Sequence, residues 1–221
     1  MRKIILYSDQ IMPASFAMDK AIFGFVKERP VRIAYVASKT DPLRKYFKPK
    51  REYYAQLGIA DVAYFDFDRE FRRAQYEEMA NYHVFHLAGG DTNYFLTSLR
   101  KTCGLRFLRE NVSAGKVLVG VSAGAIIAGA DIRICSVFNE SIEQDPTGLS
   151  LFDFEFFPHY CDCEGTNCKL RRYSMDSHRK IYACADGNGL VLDDAKIRFF
   201  GGAMCFDNGL TTPVMPGGGD D

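Results

Sequence analysis

Between Lys3 and Val121, short runs of β-branched and aromatic residues alternate with amphipathic stretches, and this alternation constrains the fold more than any other feature of the chain. Residues 3–8, 31–37, 62–67, 83–87 and 116–121 read as strands. Helices are predicted over residues 13–27, 42–57 and 74–81, with Gly58 as a left-handed cap on the second. A helical pair covers residues 94–114, with Gly104 as its break. Strands separated by helices of this length are βαβ units, which build a parallel sheet covered on both faces. Right-handed crossovers then leave few topologies and put function at the strands' C-terminal ends. The expectation is a three-layer α/β/α fold with a mainly parallel central sheet, flavodoxin-like in outline.

The pattern changes after Ile132. A loop rich in Asp, Glu and Cys is expected to run to about Asn167, followed by a helix over residues 170–183. Three short strands are predicted at residues 189–192, 196–200 and 204–206. Asp193-Asp194 and Gly201-Gly202 read as hairpin turns between them. At 221 residues the chain fits one large domain, read here as residues 1–215 with a flexible Gly-rich tail over 216–221. Lys plus Arg equals Asp plus Glu, 28 of each, so no overall field draws the protein to nucleic acid or an acidic membrane. The basic stretch from Arg44 to Arg51 reads as the solvated face and tip of a helix. No apolar run is long enough to span a bilayer, and Ser8 and Asp9 end the first one too early for a secretory signal. Seven cysteines, an odd number, do not form a disulfide framework, and a cytoplasmic location is expected.

Chemistry is concentrated at Gly120-Val121-Ser122-Ala123-Gly124, a G-x-S-x-G sequence. It follows the apolar strand Val117-Leu118-Val119 and precedes the small-residue run Ala125-Ile126-Ile127-Ala128, the context that a nucleophile elbow requires. A plain glycine-rich βα turn is the alternative reading of that motif. A serine nucleophile needs a base, and the chain has four histidines. His83 and His86 lie within a strand run and read as packing residues. His178 sits among Asp176, Arg179 and Lys180 on a solvated helix face. His159 leaves an apolar run at a proline-fixed turn, Phe156-Phe157-Pro158-His159-Tyr160, and is the best candidate base. The third member should be a carboxylate that orients the imidazole. Asp186, in the turn Cys184-Ala185-Asp186-Gly187-Asn188, is the first candidate, with Asp131, Asp145, Asp153 and Asp162 as rivals. The backbone N–H of Ala123 and one from the Gly89-Gly90-Asp91 turn are candidate oxyanion donors.

These segments together resemble the peptidase E family, serine peptidases of the S51 type, whose fold is similar to that of class I glutamine amidotransferases. The resemblance is carried by the opening strand, Ala88-Gly89-Gly90-Asp91-Thr92-Asn93, Gly120 to Ala125, Pro158-His159 and Ala185 to Asn188, in the family's order over residues 1–205. It implies Ser122 as nucleophile, His159 as base, Asp186 in the acidic orienting position, and Gly90 with Ala123 as oxyanion donors. The order Ser, His, acid departs from that of α/β-hydrolases. Serine, where glutamine amidotransferases of similar fold carry cysteine, argues against glutaminase chemistry. The implied activity is hydrolysis of short peptides, dipeptides above all, with selectivity for N-terminal Asp as a finer expectation. Family members described as aspartyl dipeptidases use basic groups to hold that carboxylate. Arg171 and Arg172, with Asp91, are the candidate substrate-binding residues here. Those members also carry an Asp where this chain has Val137. A small peptide is the expected partner, handled by a monomer or homodimer with no cofactor and no metal. The alternatives are a non-catalytic amidotransferase-like binding domain and a peptidase for a modified or side-chain-linked peptide.

His159, Cys161, Cys163 and Cys168 contain enough ligands to hold zinc. The spacing C-x-C-x4-C lacks the paired C-x2-C of a zinc knuckle, and zinc on His159 would remove the base. The cysteines are therefore read as free or redox-sensitive thiols.

Overall fold

The computed structural model describes residues 2–138, 141–142 and 144–217. The elements are β1 (Lys3–Tyr7), α1 (Phe16–Phe25), β2 (Arg32–Ala37), α2 (Phe47–Gln56), β3 (Asp61–Asp66), α3 (Gln75–Met79), β4 (Val84–Leu87), α4 (Thr92–Lys101), α5 (Gly104–Ser113), β5 (Val117–Val121) and α6 (Ala123–Ala128). A 3-10 turn (Arg133–Phe138), β6 (Glu155–Phe157), α7 (Glu164–Ser177), β7 (Ile181–Cys184), β8 (Gly189–Asp193), β9 (Lys196–Phe200), β10 (Ala203–Asp207) and β11 (Leu210–Val214) follow.

Seven strands form the central sheet in the order β3-β2-β4-β5-β1-β8-β9. The first five are parallel, while β8 and β9 run antiparallel as a hairpin. Strand periodicity explains the layering. Ile4 and Leu6 of β1 face one apolar cluster, which also takes Phe95, Leu96 and Leu99 of α4, Leu108 and Val112 of α5, and most of α6. Ile5 and Tyr7 face the other, with Met18 and Ile22 of α1 and Phe47, Tyr53 and Tyr54 of α2. Alternate side chains thus bury on opposite faces, and each fully buried large apolar side chain contributes about 1.5–3 kcal/mol. The expected α/β fold with a mainly parallel sheet is the fold observed.

Four strands form a second sheet, β11-β10-β7-β6, in which only β6 and β7 are parallel. This sheet corrects several expectations. The helix expected over residues 170–183 is α7, which ends at Ser177, and the residues beyond it form β7. His178 stops α7 in a left-handed conformation at φ 54°, a stop usually signalled by glycine. Gly201-Gly202 does not join a hairpin, because β9 belongs to the central sheet and β10 to the second. Strands β6 and β11 were not expected. The former is only three residues long and begins with buried Glu155; the latter is an edge strand containing Pro213. Of the tail expected to be flexible, residues 218–221 lie outside the described residues.

Candidate active site

Three neighbouring strands of the central sheet, β4, β5 and β1, end side by side and supply the floor of the site. Ser122 directly follows β5, and its N–H donates to the carbonyl of Tyr7 at the end of β1 (3.0 Å). Its backbone is held at φ 50°, ψ −112°, a sparsely populated region for a residue with a side chain. The glycines on either side make that elbow possible. A Cβ on Gly124 would come within 2.3 Å of the Leu87 carbonyl oxygen on β4, and one on Gly120 within 2.8 Å of Ala125 Cα. Only hydrogen at these two positions lets α6 start this close to the sheet.

The second sheet supplies the other two groups. β6 and β7 are parallel neighbours paired at Phe157↔Ala183, so their C-terminal ends deliver His159 and Asp186 next to each other. His159 has φ 54°, a second strained residue at the site. Its Nε2 lies 2.8 Å from Ser122 Oγ, and its Nδ1 lies 2.7 Å from Asp186 Oδ1. Both side chains are about half exposed, at 44% and 48%. The site therefore opens to solvent instead of lying in the core. Of the other candidate carboxylates, Asp131 is tied to Arg133, Asp145 to Arg100, and Asp162 to Tyr160 and Asn167.

Ser8, one residue beyond β1, joins the two sheets. Its fully buried hydroxyl donates to Asp186 Oδ1 (2.8 Å) and accepts from the His159 backbone N–H (2.7 Å). The Asp186 turn is further held by Gly187 N–H donating to the Asp9 carbonyl and Ser8 N–H donating to that of Asn188, each at 3.1 Å. Sequence reasoning missed Ser8. Its only signal was position, at the C-terminal end of a strand next to the elbow.

A pocket of ≈ 410 Å³ opens beside Ser122 and His159, bounded by Gly89, Gly90 and Asp91 on one side and by Asp9, Lys39 and Lys50 among its charged residues. Gly90 has φ +143°, and a Cβ there would meet Ser38 Oγ at 2.3 Å. Gly89 packs against Ser122, with 3.4 Å from a built Cβ to Ser122 Cβ. This brings the β4 turn, which carries one candidate oxyanion donor, against Ser122. The other, the N–H of Ala123, begins α6. Asp91 lines the pocket and also caps α4, accepting from Tyr94 N–H at 2.9 Å.

The basic groups at this pocket are not the ones anticipated. Arg171 is ion-paired with Glu164, Arg172 faces Asp176 at 3.7 Å, and neither lines the pocket. Both sit on α7, where carboxylates of the same helix hold them. Lys50, expected on a solvated face, instead turns inward on the same face of α2 as Phe47, Tyr53 and Tyr54. That spacing of three to four residues was the available signal. Its ammonium donates to Gln10 Oε1 at 3.0 Å. Burial lowers the Lys50 pKa, opposed by the charges of Asp9 and Asp19. His86, read as a packing residue, is buried, stacked on Tyr35 and hydrogen-bonded to Tyr54 (2.7 Å), yet it also reaches the pocket floor. Burial, and secondarily the Lys50 charge, hold its pKa well below the usual histidine range, so it is neutral.

A second cleft of ≈ 400 Å³ lies against His159 and is lined by Val137, Phe138, Phe157, Cys161 and Cys163 among others. Among the described residues no cluster of three or more His, Cys, Asp or Glu has metal-site geometry, and none of the seven cysteines is in a disulfide. Among the same residues no helix is long and apolar enough to cross a membrane.

Comparison with known proteins gives a consistent answer. An uncharacterized peptidase of Pasteurella multocida is 27% identical over 165 residues, covering 72% of this chain and 78% of that protein. Peptidase E of Shewanella amazonensis is 41% identical over 125 residues, about half of each chain (52% and 52%). Among solved structures, a putative peptidase E from Listeria monocytogenes superposes with a TM-score of 0.70 at 17% identity, covering 97% of this chain and all of that one. A peptidase from an acI-B1 actinobacterium gives 0.72 at 16% identity, covering 100% and 96%. At these identities the two structures establish the shared fold. The sequence profile of peptidase family S51 matches residues 4–200, and the chain belongs to that family of serine-type peptidases.

Proposed function

We propose that this chain hydrolyses short peptides through an acyl-enzyme, with Ser122 as nucleophile, His159 as general base and Asp186 as the group that orients the imidazole. The observation that carries this reading is the continuous hydrogen-bonded line from Ser122 Oγ through both His159 nitrogens to Asp186 Oδ1. The acyl residue of the substrate occupies the pocket bounded by Gly89, Gly90 and Lys50, with its scissile carbonyl oxygen against the N–H groups of Gly90 and Ala123. Ser122 attacks as His159 takes its proton, and the two amides stabilise the oxyanion that forms between them. His159 then returns the proton to the leaving amine, so the leaving group must depart on the imidazole's side. The cleft bounded by Val137, Phe138 and Phe157 lies on that side and suits an apolar leaving residue. Water, deprotonated by His159, releases the acyl product.

Selectivity for N-terminal Asp is the finer part of the reading. Its support is chemical: Lys39 and Lys50 give the acyl pocket two cations for a side-chain carboxylate, and Asp9 and Asp91 give it anions for an α-ammonium. The proposed setting is the cytoplasm, where cysteines outside any disulfide stay reduced, with the enzyme acting as a monomer or homodimer. The test is hydrolysis of Asp-X beside Glu-X, Met-X, Leu-X and Ala-X dipeptides by wild type and by Lys50→Met. Cleavage led by Asp-X, and lost selectively in the variant, supports the assignment. Equal rates across the panel in both proteins refute the selectivity.

A further inference from the structure

Cys161 and Cys163 play no part in the proposed peptidase reaction, yet both line the cleft that His159 also lines. The chain turns tightly between them, with Cys163 N–H donating to the Cys161 carbonyl at 2.9 Å, and the Cys161 thiol is among the groups that lower the Cys163 pKa. Cys163 is the residue before the first turn of the 14-residue helix α7. Its thiol donates to Thr166 Oγ1 at 3.2 Å. On ionisation the Thr166 hydroxyl can turn and donate to the thiolate, and this bond, chiefly, lowers the Cys163 pKa. Both thiols are exposed. An accessible thiol whose ionised form is stabilised, with a second thiol across a tight turn in the same cleft, has the two requirements of a redox-reactive pair. Buried Cys184 is the contrast: burial pushes its thiol up to about 12, and it is inert by the same reasoning.

We propose that Cys161 and Cys163 are a hydroperoxide-sensitive pair that closes to a disulfide in the wall of the leaving-group cleft and thereby slows the peptidase. The Cys163 thiolate attacks one oxygen of hydrogen peroxide. An S–O bond forms as the O–O bond breaks, and the departing hydroxide takes up a proton to leave as water. The Cys161 thiolate then attacks the sulfenic sulfur. The S–S bond forms as the S–O bond breaks, and a second water carries away the oxygen. Two thiols lose two electrons and two protons, and one peroxide becomes two waters. The disulfide draws the two residues together in the wall that the leaving residue must pass. The slowing part of this proposal rests on the assignment of that cleft to the leaving group.

The experiment treats the full-length protein with hydrogen peroxide, then reads intact mass, tryptic peptides and dipeptide hydrolysis before and after dithiothreitol. The expected product has lost two hydrogen atoms in a Cys161–Cys163 link. Its hydrolysis of a dipeptide with a bulky leaving residue is expected to be about tenfold slower, the lower range for losing an apolar pocket contact, and to recover on reduction. Cys163→Ser should form no such link, and its rate, whatever its starting value, should not respond to peroxide. Cys168→Ser should behave as wild type. Ser122→Ala should form the same disulfide, so a failure of the peptidase assignment leaves the thiol result readable. Irreversible oxidation of Cys163, a link to Cys168, or a fully oxidised protein with unchanged rate would overturn the proposal.

Discussion

Replacing Ser8 by alanine removes one hydroxyl that touches no substrate and yet joins two members of the proposed triad. Ser8 Oγ donates to Asp186 Oδ1 at 2.8 Å and accepts from the His159 N–H at 2.7 Å. A hydrogen bond to a charged group contributes about 1.5–3 kcal/mol. Asp186 is 48% exposed, so water can take up part of the lost contact and bring the loss to about 1 kcal/mol. If that energy holds the carboxylate in line with His159 Nδ1, kcat falls about fivefold. KM should stay unchanged, because Ser8 is not among the residues lining the proposed acyl pocket. The reaction with a fluorophosphonate, which needs only an activated Ser122, should slow by the same factor. The whole effect is far smaller than the factor of about 10⁴ expected for Asp186→Asn by analogy with a protease triad. A Ser8→Ala enzyme with wild-type kcat and only a lowered melting temperature would refute the positioning role. So would a raised KM at unchanged kcat.

Other perturbations follow from the same geometry. Phe138→Ala should lower kcat/KM for dipeptides with bulky apolar leaving residues by about tenfold and leave Asp-Gly nearly unaffected, since Phe138 stacks on Phe157 (4.5 Å) at the proposed leaving-group cleft. Gly124→Ala should lower stability by more than about 2 kcal/mol and abolish labelling of Ser122 in whatever folded fraction survives, because its Cβ has no room beneath the Leu87 carbonyl. Buried Glu155, pushed up to about 8 chiefly by desolvation and then by Asp131, binds its proton more tightly folded than unfolded. Its contribution to stability is therefore present below the usual Glu range and lost as pH rises towards about 8. Urea midpoints from pH 5 to 9 should fall less steeply in Glu155→Gln than in wild type; identical slopes would contradict the reasoning.

The parts of the fold legible in the sequence are those with local causes. Short, nearly continuous apolar runs marked β1 to β5, and the glycines around Ser122 marked the elbow, because burial on both sheet faces and close backbone approach impose residue types directly on those positions. The rest depended on pairing between distant segments. β6 and β7 are three and four residues long, and what makes them strands is their lying beside each other, paired at Glu155↔Ile181, 26 residues apart in the chain. A helix reading absorbed β7 because His178, not glycine, adopts the left-handed stop. The same effect runs through the site. Ser122, His159 and Asp186 stood out by motif and turn, whereas Ser8 and Lys50 matter only through what folds against them. Arg171 and Arg172 had the right charge, but the carboxylates on their own helix claim them.

The most direct test of the central claim is fluorophosphonate labelling of wild type and Ser122→Ala, read by intact mass and peptide mapping alongside dipeptide hydrolysis. Ser122 as nucleophile predicts one adduct, mapped to Ser122, that eliminates turnover, and a variant that folds but neither labels nor hydrolyses. An unlabelled Ser122 in folded wild type, or turnover retained by Ser122→Ala, would contradict the account.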